Sequence, residues 1–597
     1  MAQTTVFDAI IKNGLYFDGS LNPASIKHIG IKNGLVAEVS DSPLDETGCN
    51  EIIDADKRWV TPGFIEPHSH YDAEVIIAPE LKESVRHGVT TVTTGICSIS
   101  MVSAPADDCS DLFTRVEAVP RDIVLPLVRE KKTWTSPTEF RRFYQQHPLG
   151  PNLAAFIGHS DIRASVMGLE RSTTKGLRPS AEEMQQMENI LEEALDAGFL
   201  GMSSMTTKID RVDGDRAWSR PLPSTFATWK EYRALNRILR RRGRILQSAP
   251  DAVGKINIVM FFWEAMSWFR KQLKTTLLTV LDLKSQPRLQ RLGPIAGWMA
   301  NTFLRANFRW QFLPSPLMVY ADGLDFGPFQ EFTGGEILWD LKEFKYEKIK
   351  DPEFRALFKK GLNATLSKGV WDRNFADAWV VDCPDASLIG KNFGEISKAQ
   401  NKAPADAFLD LMEIHKDSLR WGVYYTAHRV PVMRRLIGNR QVHVGFADSG
   451  AHLRNLAAYN FPIRLLKYVL DSEAEGKACV SREFAIHRLT GELADWYGLD
   501  AGYIRVGDRA DLVVLNPNGI DDGVWNMQEE YFAPFDTDRM VNRNDNAVEA
   551  VFINGNKAYD RTQGFADDLG KTQRFGRFLP ATINPVTEED SRQPLPA

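Results

Sequence analysis

The sequence predicts an α/β protein: a (β/α)8 barrel with a small β domain built from both ends of the chain. Three observations carry this expectation. Residues 61–495 alternate short apolar strands with helical stretches in roughly eight units, the pattern of a parallel barrel whose catalytic groups sit at the C-terminal ends of its strands. Residues 7–60 read as short strands divided by Asn-Gly turns. The same strand-and-turn character returns at Asp508–Asn516 and Val548–Tyr559.

Taken in order, Phe7–Ile11, Tyr16–Asp18, His28–Ile31 and Leu35–Val39 are rich in β-branched and aromatic residues. Asn13-Gly14 and Asn33-Gly34 separate them, and both residue types accept the positive φ of a type I′ hairpin turn. The segment IKNGL occurs at Ile11–Leu15 and again at Ile31–Leu35, which reads as two similar turns. Barrel strands are expected at Gly63–Ile65, Thr90–Thr94, Leu153–Ile157, Leu200–Ser203, Arg244–Leu246, Leu277–Leu281, Pro316–Val319 and Val442–Phe446. Helices are expected at Ala181–Ala197, capped by Ser180 and closed by Gly198, and at Thr228–Arg240. An aromatic and basic stretch covers residues 258–312. The tendency of aromatics to be buried predicts helices packed on the barrel there; the alternative is a substrate lid or a membrane-surface patch. Residues 566–597 carry four prolines and many polar groups and read as an extended tail.

Composition narrows the function. With 597 residues, 43% hydrophobic and 25% charged, the chain has ample material for a large core. Disordered, collagen-like and coiled-coil classes are excluded. A formal net charge of −6 gives no reason to expect a nucleic-acid partner. The 5 cysteines are odd in number and lack CxxC spacing, which argues against a disulfide scaffold or a zinc knuckle. The N-terminal segment has no cationic region followed by an apolar one, so no signal peptide is expected. No apolar run is long enough for a transmembrane helix, and the expected location is the cytoplasm.

The sharpest chemical signal is VTPGFIEPHSHYD, Val60–Asp72. A strand ending near Ile65 presents His68 and His70 at alternate positions, whose side chains point the same way. Two imidazoles converging from one strand end are a start for a divalent metal site. This segment resembles the first barrel strand of the amidohydrolase superfamily, PGFID-x-H-x-H, with Glu66 in place of the usual Asp. Further segments are similar to the N-acyl-D-amino-acid deacylases, the D-aminoacylases. They are HGVTTVTTGICSIS (His87–Ser100), NLAAFIGHSDIRASVMG (Asn152–Gly168), ALDAGFLGMSS (Ala194–Ser204), FADSGAH (Phe446–His452) and the closing stretches GYIRVGDRADLVVLNP and VEAVFINGNKAY.

The resemblance implies a domain plan: residues 1–60 and 496–565 as a β-sandwich, 61–495 as the catalytic barrel, and 566–597 as the tail. It also implies a zinc site, with one or two divalent ions, drawn from His68, His70, Cys97 and Asp448, and substrate binding by His159 and Arg163. A thiolate at Cys97 is a strong zinc ligand. Asp448 can bind metal and move a proton, and Arg163 offers a planar fork for a carboxylate.

The pattern breaks in one place. No histidine lies between His159 and His415. The D-aminoacylases use one histidine at strand five and one at strand six to complete their site with the cysteine. Here Gln247 or Ser248 takes the first position, and Asp282 the second, with Lys284 matching the family's lysine. Asp282 is therefore an additional oxygen ligand or a salt-bridged aspartate, and Lys208, after strand four, a bridging lysine or a solvated one. The reading is a zinc-dependent amidohydrolase that cleaves the C–N bond of an N-acyl-D-amino acid or related linear amide. Its partner is a small molecule, and an oligomer is compatible with the sequence. The alternatives are a single-metal enzyme acting on another bond or a cyclic amide, and a non-catalytic binding relative.

Overall fold

The computed structural model describes residues 6–251, 256–364 and 369–582. Eight strand positions pair in parallel, in an order that returns to its start. The first, Phe64–Glu66, resumes after Pro67 as His68–Ser69. It is followed by Val89–Thr94 and then Asn152–Ala155, which resumes as Ile157–Gly158. Gly201–Met205, Ile245–Ala249, Lys274–Leu277, Asn307–Phe312 and Val442–Val444 continue the ring. Phe446–Ser449, the continuation of the eighth, pairs back onto His68–Ser69. Val89–Thr94 (VTTVTT) is buried along its whole length, as β-branched residues suit a strand covered on both faces.

Two strands differ from the sequence expectation. The sixth is Lys274–Leu277 rather than Leu277–Leu281, and the seventh is Asn307–Phe312 rather than Pro316–Val319. The apolar run at 316–319 instead leads into Met318–Asp322, which pairs antiparallel with Arg420–Tyr424, itself paired with Trp379–Asp382. This small sheet is part of an insertion between the seventh and eighth strands. Its own aromatic core includes Phe375 stacked on Phe408, with centroids 4.1 Å apart, and Trp421 against both.

Both chain ends contribute to one nine-stranded sheet. Leu512–Leu515 sits between Trp59–Pro62 and Val548–Ile553, joining the N-terminal strands to the C-terminal ones. Asn33-Gly34 forms the expected hairpin turn, with φ of 52° and 77°. Asn13-Gly14 does not turn the chain. It is a bulge inside the continuous strand Ala9–Tyr16, where the register shifts between Ile11 and Gly14. Part of the expected tail is also packed: Phe575, Phe578 and Leu579 are buried, and the Leu579 N–H donates to the Leu153 carbonyl at 2.8 Å. Residues 583–597 lie outside the described residues. Among the described residues no helix is long and apolar enough to cross a membrane.

Candidate metal centre

The eighth-strand turn closes tightly on the first strand. The His70 N–H donates to the Ser449 carbonyl at 2.7 Å. Gly450, at φ 87°, lies where a Cβ would come within 2.9 Å of the His70 carbonyl oxygen, so only glycine allows this approach. Cys97, Ser98 and Asp448 also hold positive φ, at 53°, 73° and 52°. Such values are uncommon outside glycine and cluster where a side chain is aimed by the surrounding structure.

The result is a buried group of electron-rich atoms. One atom each from His68, His70 and Cys97 lie within 4.8 Å of one another. His68 Nδ1 donates to Gln311 Oε1 at 2.5 Å, and Gln311 Nε2 donates in turn to Thr276 Oγ1 at 3.3 Å. Held by that carbonyl oxygen, the imidazole presents Nε2 to Cys97 Sγ at 3.4 Å and to Asp448 Oδ1 at 3.2 Å. His70 Nε2 is 3.5 Å from the same Asp448 oxygen, and its Nδ1 is 3.3 Å from Glu117 Oε1.

The electrostatics suit a cation. Burial lowers His70 to about 4, which leaves a neutral imidazole. Burial also works to raise the Asp448 carboxyl, but its contacts with His68 and His70 outweigh this and hold it well below the usual carboxylate range. Burial, then the charges of Asp448 and Glu117, push the Cys97 thiol up. A divalent cation reverses that last effect, because it stabilises thiolate and carboxylate together. Two imidazoles, a sulfur and a carboxylate, with one imidazole oriented by an amide behind it, match the donor set and support of a zinc-type site.

Glu117 is a residue that sequence reasoning missed. It is buried, and burial followed by the Asp448 charge holds its carboxyl well above the usual range. Its Oε2 lies 3.9 Å from His452 Nε2, and its carbonyl accepts from the His452 N–H at 2.5 Å. No motif marks it, since it comes to His70 from a distant turn.

His159 and Arg163 sit on the buried helix His159–Met167. The helix starts against the Cys97 turn, where Ser160 Oγ meets Ser98 Oγ at 2.6 Å. Both His159 ring nitrogens are engaged, Nδ1 with Ser204 Oγ at 3.0 Å and Nε2 with Glu231 Oε1 at 2.8 Å. Arg163 Nη1 donates to both Glu231 oxygens, at 2.6 and 2.5 Å. Its Nε and Nη2 find no acceptor among the described residues. Glu231 is the second residue that the sequence hid. It stands three residues after the N-cap Thr228, whose side chain accepts from the Glu231 N–H. That is the position of a capping-box glutamate, yet its carboxylate serves His159 and Arg163.

The remaining candidates lie elsewhere. At strand five, Gln247 Oε1 accepts from the Cys97 N–H at 3.1 Å, so this residue fixes the cysteine turn. Gln247 Nε2 and Ser248 Oγ are buried without partners among the described residues. Asp282 is not grouped with the metal-ligating atoms: its carboxylate is engaged by Arg429 Nε at 3.0 and 3.1 Å and by the Arg429 N–H at 3.2 Å. The sixth strand ends at Leu277, five residues short of Asp282, which places Asp282 beyond the strand end. Lys208 is exposed and also stands outside the group.

The ring of parallel strands carries the histidine–cysteine–aspartate group at its strand ends, and comparison with known proteins finds the same fold. An uncharacterized protein of Mycobacterium tuberculosis is 44% identical over 593 residues, covering 97% of each chain. A D-aminoacylase of Alcaligenes xylosoxydans xylosoxydans is 30% identical over 205 residues, covering 33% of this chain and 37% of its own. Among solved structures, a D-aminoacylase aligns with a TM-score of 0.60 at 20% identity, covering 96% of this chain and 99% of its own. The N-acyl-D-glutamate deacylase of Bordetella bronchiseptica, complexed with zinc and a phosphonate inhibitor, aligns with a TM-score of 0.62 at 18% identity, covering 97% and 100%. No protein-family profile matches the chain. The chain belongs to one family with its mycobacterial relative. Its structural neighbours and more distant relatives include D-aminoacylases and N-acyl-D-amino-acid deacylases of the amidohydrolase superfamily.

Proposed function

We propose that this protein is a metal-dependent amidohydrolase that cleaves the C–N bond of a small N-acylated amino acid, of the D series as in its structural neighbours. In this reading the strand ring is a (β/α)8 barrel and the two-ended sheet is its accessory β-sandwich domain. The observation that carries the proposal is the grouping of His68, His70 and Cys97 within 4.8 Å, with Asp448 against both imidazoles.

One zinc or similar ion would be held by His68, His70 and Asp448, with Cys97 beside them. When bound, such an ion supplies Lewis-acid activation of water and of a carbonyl oxygen. Gln311 orients the His68 ring, and Gln247 fixes the backbone that carries Cys97. Asp448 is the member of the group nearest solvent, with an 18% exposed side chain against 0% for His68. That position would let its carboxylate take the proton of a metal-activated water and pass it to a leaving nitrogen. The unpartnered Nε–Nη2 edge of Arg163 is a fork for the substrate carboxylate, with Glu231 bracing the opposite side.

The test is hydrolysis of a panel of N-acetyl-D- and N-acetyl-L-amino acids with and without added zinc. Turnover that is lost in the His68→Ala/His70→Ala variant supports the reading. Turnover unchanged in that variant contradicts the site, and metal binding without turnover of any panel member contradicts the substrate class.

A further inference from the structure

Only part of the aromatic stretch packs as its composition suggests: Phe261, Phe308, Trp310 and Phe312 are buried. Helix Leu289–Phe303 is turned inside out. Its small residues face the protein: Gly297 lies where a Cβ would sit 3.3 Å from the Trp310 ring, and Trp310 Nε1 donates to the Gly293 carbonyl at 2.7 Å. Its bulky residues face outward, with Leu292, Ile295, Trp298, Met299 and Phe303 all exposed. The spacing i, i+3, i+7 and i+11 from Leu292 makes one continuous apolar stripe on the solvent side. A soluble helix normally shows the reverse.

A second segment extends the same face. Helix Ile256–Ala265 and the turn after it expose Val259, Trp263, Trp268 and Phe269, the last at 93%. The two segments are joined, because Trp268 Nε1 donates to the Phe303 carbonyl at 2.6 Å and the Ser267 N–H to the Leu304 carbonyl at 3.0 Å. Trp298 and Phe303 touch edge to face at 5.6 Å. Exposed large apolar side chains on two joined segments mark an interaction site.

Charge identifies the partner. Residues 256–312 contain eight lysines and arginines and only two acidic residues, in a chain whose net charge is −6. Both acids are buried: Glu264 accepts from Asn236, and Asp282 pairs with Arg429. Lys271, Arg288, Arg291 and Arg305 are exposed around the apolar stripe. The adjoining helix Trp229–Arg242, packed on Phe261 through Trp229, adds exposed Arg233 and Arg237. Tryptophan, phenylalanine and a basic rim on helices joined at their C-terminal ends are the composition of an interfacial anchor on anionic lipid. A second copy of the chain docked about a two-fold axis would set the basic rim against itself.

We infer that this face seats the protein on an anionic phospholipid bilayer, without crossing it. This inference is independent of the reaction assigned to the metal centre. The test is sedimentation of the full chain with vesicles of phosphatidylcholine alone and of phosphatidylcholine mixed with phosphatidylserine. It is run alongside Phe269→Ser/Trp298→Ser and Lys271→Gln/Arg305→Gln, each checked for an unchanged thermal melt. The expected result is binding to the anionic vesicles that weakens with salt. It falls more than about 10-fold in the aromatic variant, and about 5-fold for each charge removed. Tryptophan emission should be quenched by brominated lipid in the wild type, which reads insertion even if one variant folds poorly. Absence of wild-type binding, binding unchanged from wild type in both variants, or a dimer that the aromatic variant dissolves without any vesicle binding would each overturn the inference.

Discussion

Gln311 offers a direct probe of how the metal centre is built, because it touches the site from behind and ligates nothing. Its Oε1 accepts the His68 Nδ1 proton at 2.5 Å in a place where both residues are buried. Gln311→Met keeps the length and most of the volume of the side chain and removes the acceptor. The His68 N–H is then a buried donor without a partner, which costs about 1–3 kcal/mol. The ring also loses what holds its Nε2 toward Cys97 and Asp448. At about 1.4 kcal/mol per decade, that cost corresponds to the roughly 10–100-fold loss of metal affinity typical when the support of a ligating histidine is removed. The assay is competition for zinc against a fluorescent chelator at fixed pH, with circular dichroism to confirm the fold. A Kd unchanged within about 2-fold would refute the claim that Gln311 orients a metal ligand.

Three further outcomes follow from the surrounding contacts. Glu231→Gln leaves Arg163 buried without its carboxylate, so urea unfolding should show a loss of about 3–5 kcal/mol with metal content unchanged; a loss below about 0.5 kcal/mol would mean that the pair is not coupled in the fold. Asp282→Asn should lower stability by about 1 kcal/mol, since Arg429 is half exposed, and should leave metal stoichiometry intact; loss of the metal would restore Asp282 as a ligand. Glu331 gives a pH signature away from the metal centre. Burial raises its carboxyl from 4.5 to about 7, against the opposing Val370 N–H and Arg373. The folded state therefore prefers the protonated form, and the stability this provides is complete below about pH 4.5 and is lost as pH rises through about 7. Between about pH 5 and 8 the wild type should lose on the order of 3 kcal/mol relative to Glu331→Gln; parallel stability curves for the two would contradict the assignment.

What the sequence revealed and what it concealed have physical causes. His68, His70, Cys97 and Asp448 were legible because each follows an apolar strand within a distinctive local pattern, and the structure brings them together. The sixth and seventh strands are not marked by apolar runs. Lys274–Leu277 and Asn307–Phe312 instead carry lysine, threonine, asparagine and arginine, and NFRWQF shows its strand character only as alternation of Phe308, Trp310 and Phe312. Of the two readings of Asp282, the contacts fit the salt-bridged one, with a partner, Arg429, 147 residues away. Glu231 looked like a helix cap, and Glu117 like any surface acid after a helix. Their roles depend on contacts to His159, Arg163 and His70 that no local pattern encodes. Asn13-Gly14 reads as a turn in isolation, and only pairing with Ser25–Lys32 makes it a bulge. The aromatic stretch kept both readings open, since composition does not say which face of Leu289–Phe303 turns inward. The glycines at 293 and 297 settle it, because they allow the helix to lie flush on Trp310 with its large side chains outside.

On the proposed reading, His68, His70, Cys97 and Asp448 form a metal centre although no histidine lies between His159 and His415. Metal analysis by mass spectrometry of the protein after zinc loading and removal of free ion tests it most directly. The account predicts about one tightly held equivalent, absent from His68→Ala/His70→Ala and retained in Asp282→Asn. Less than about 0.3 equivalents in the wild type, or an equal content in the double histidine variant, would contradict it.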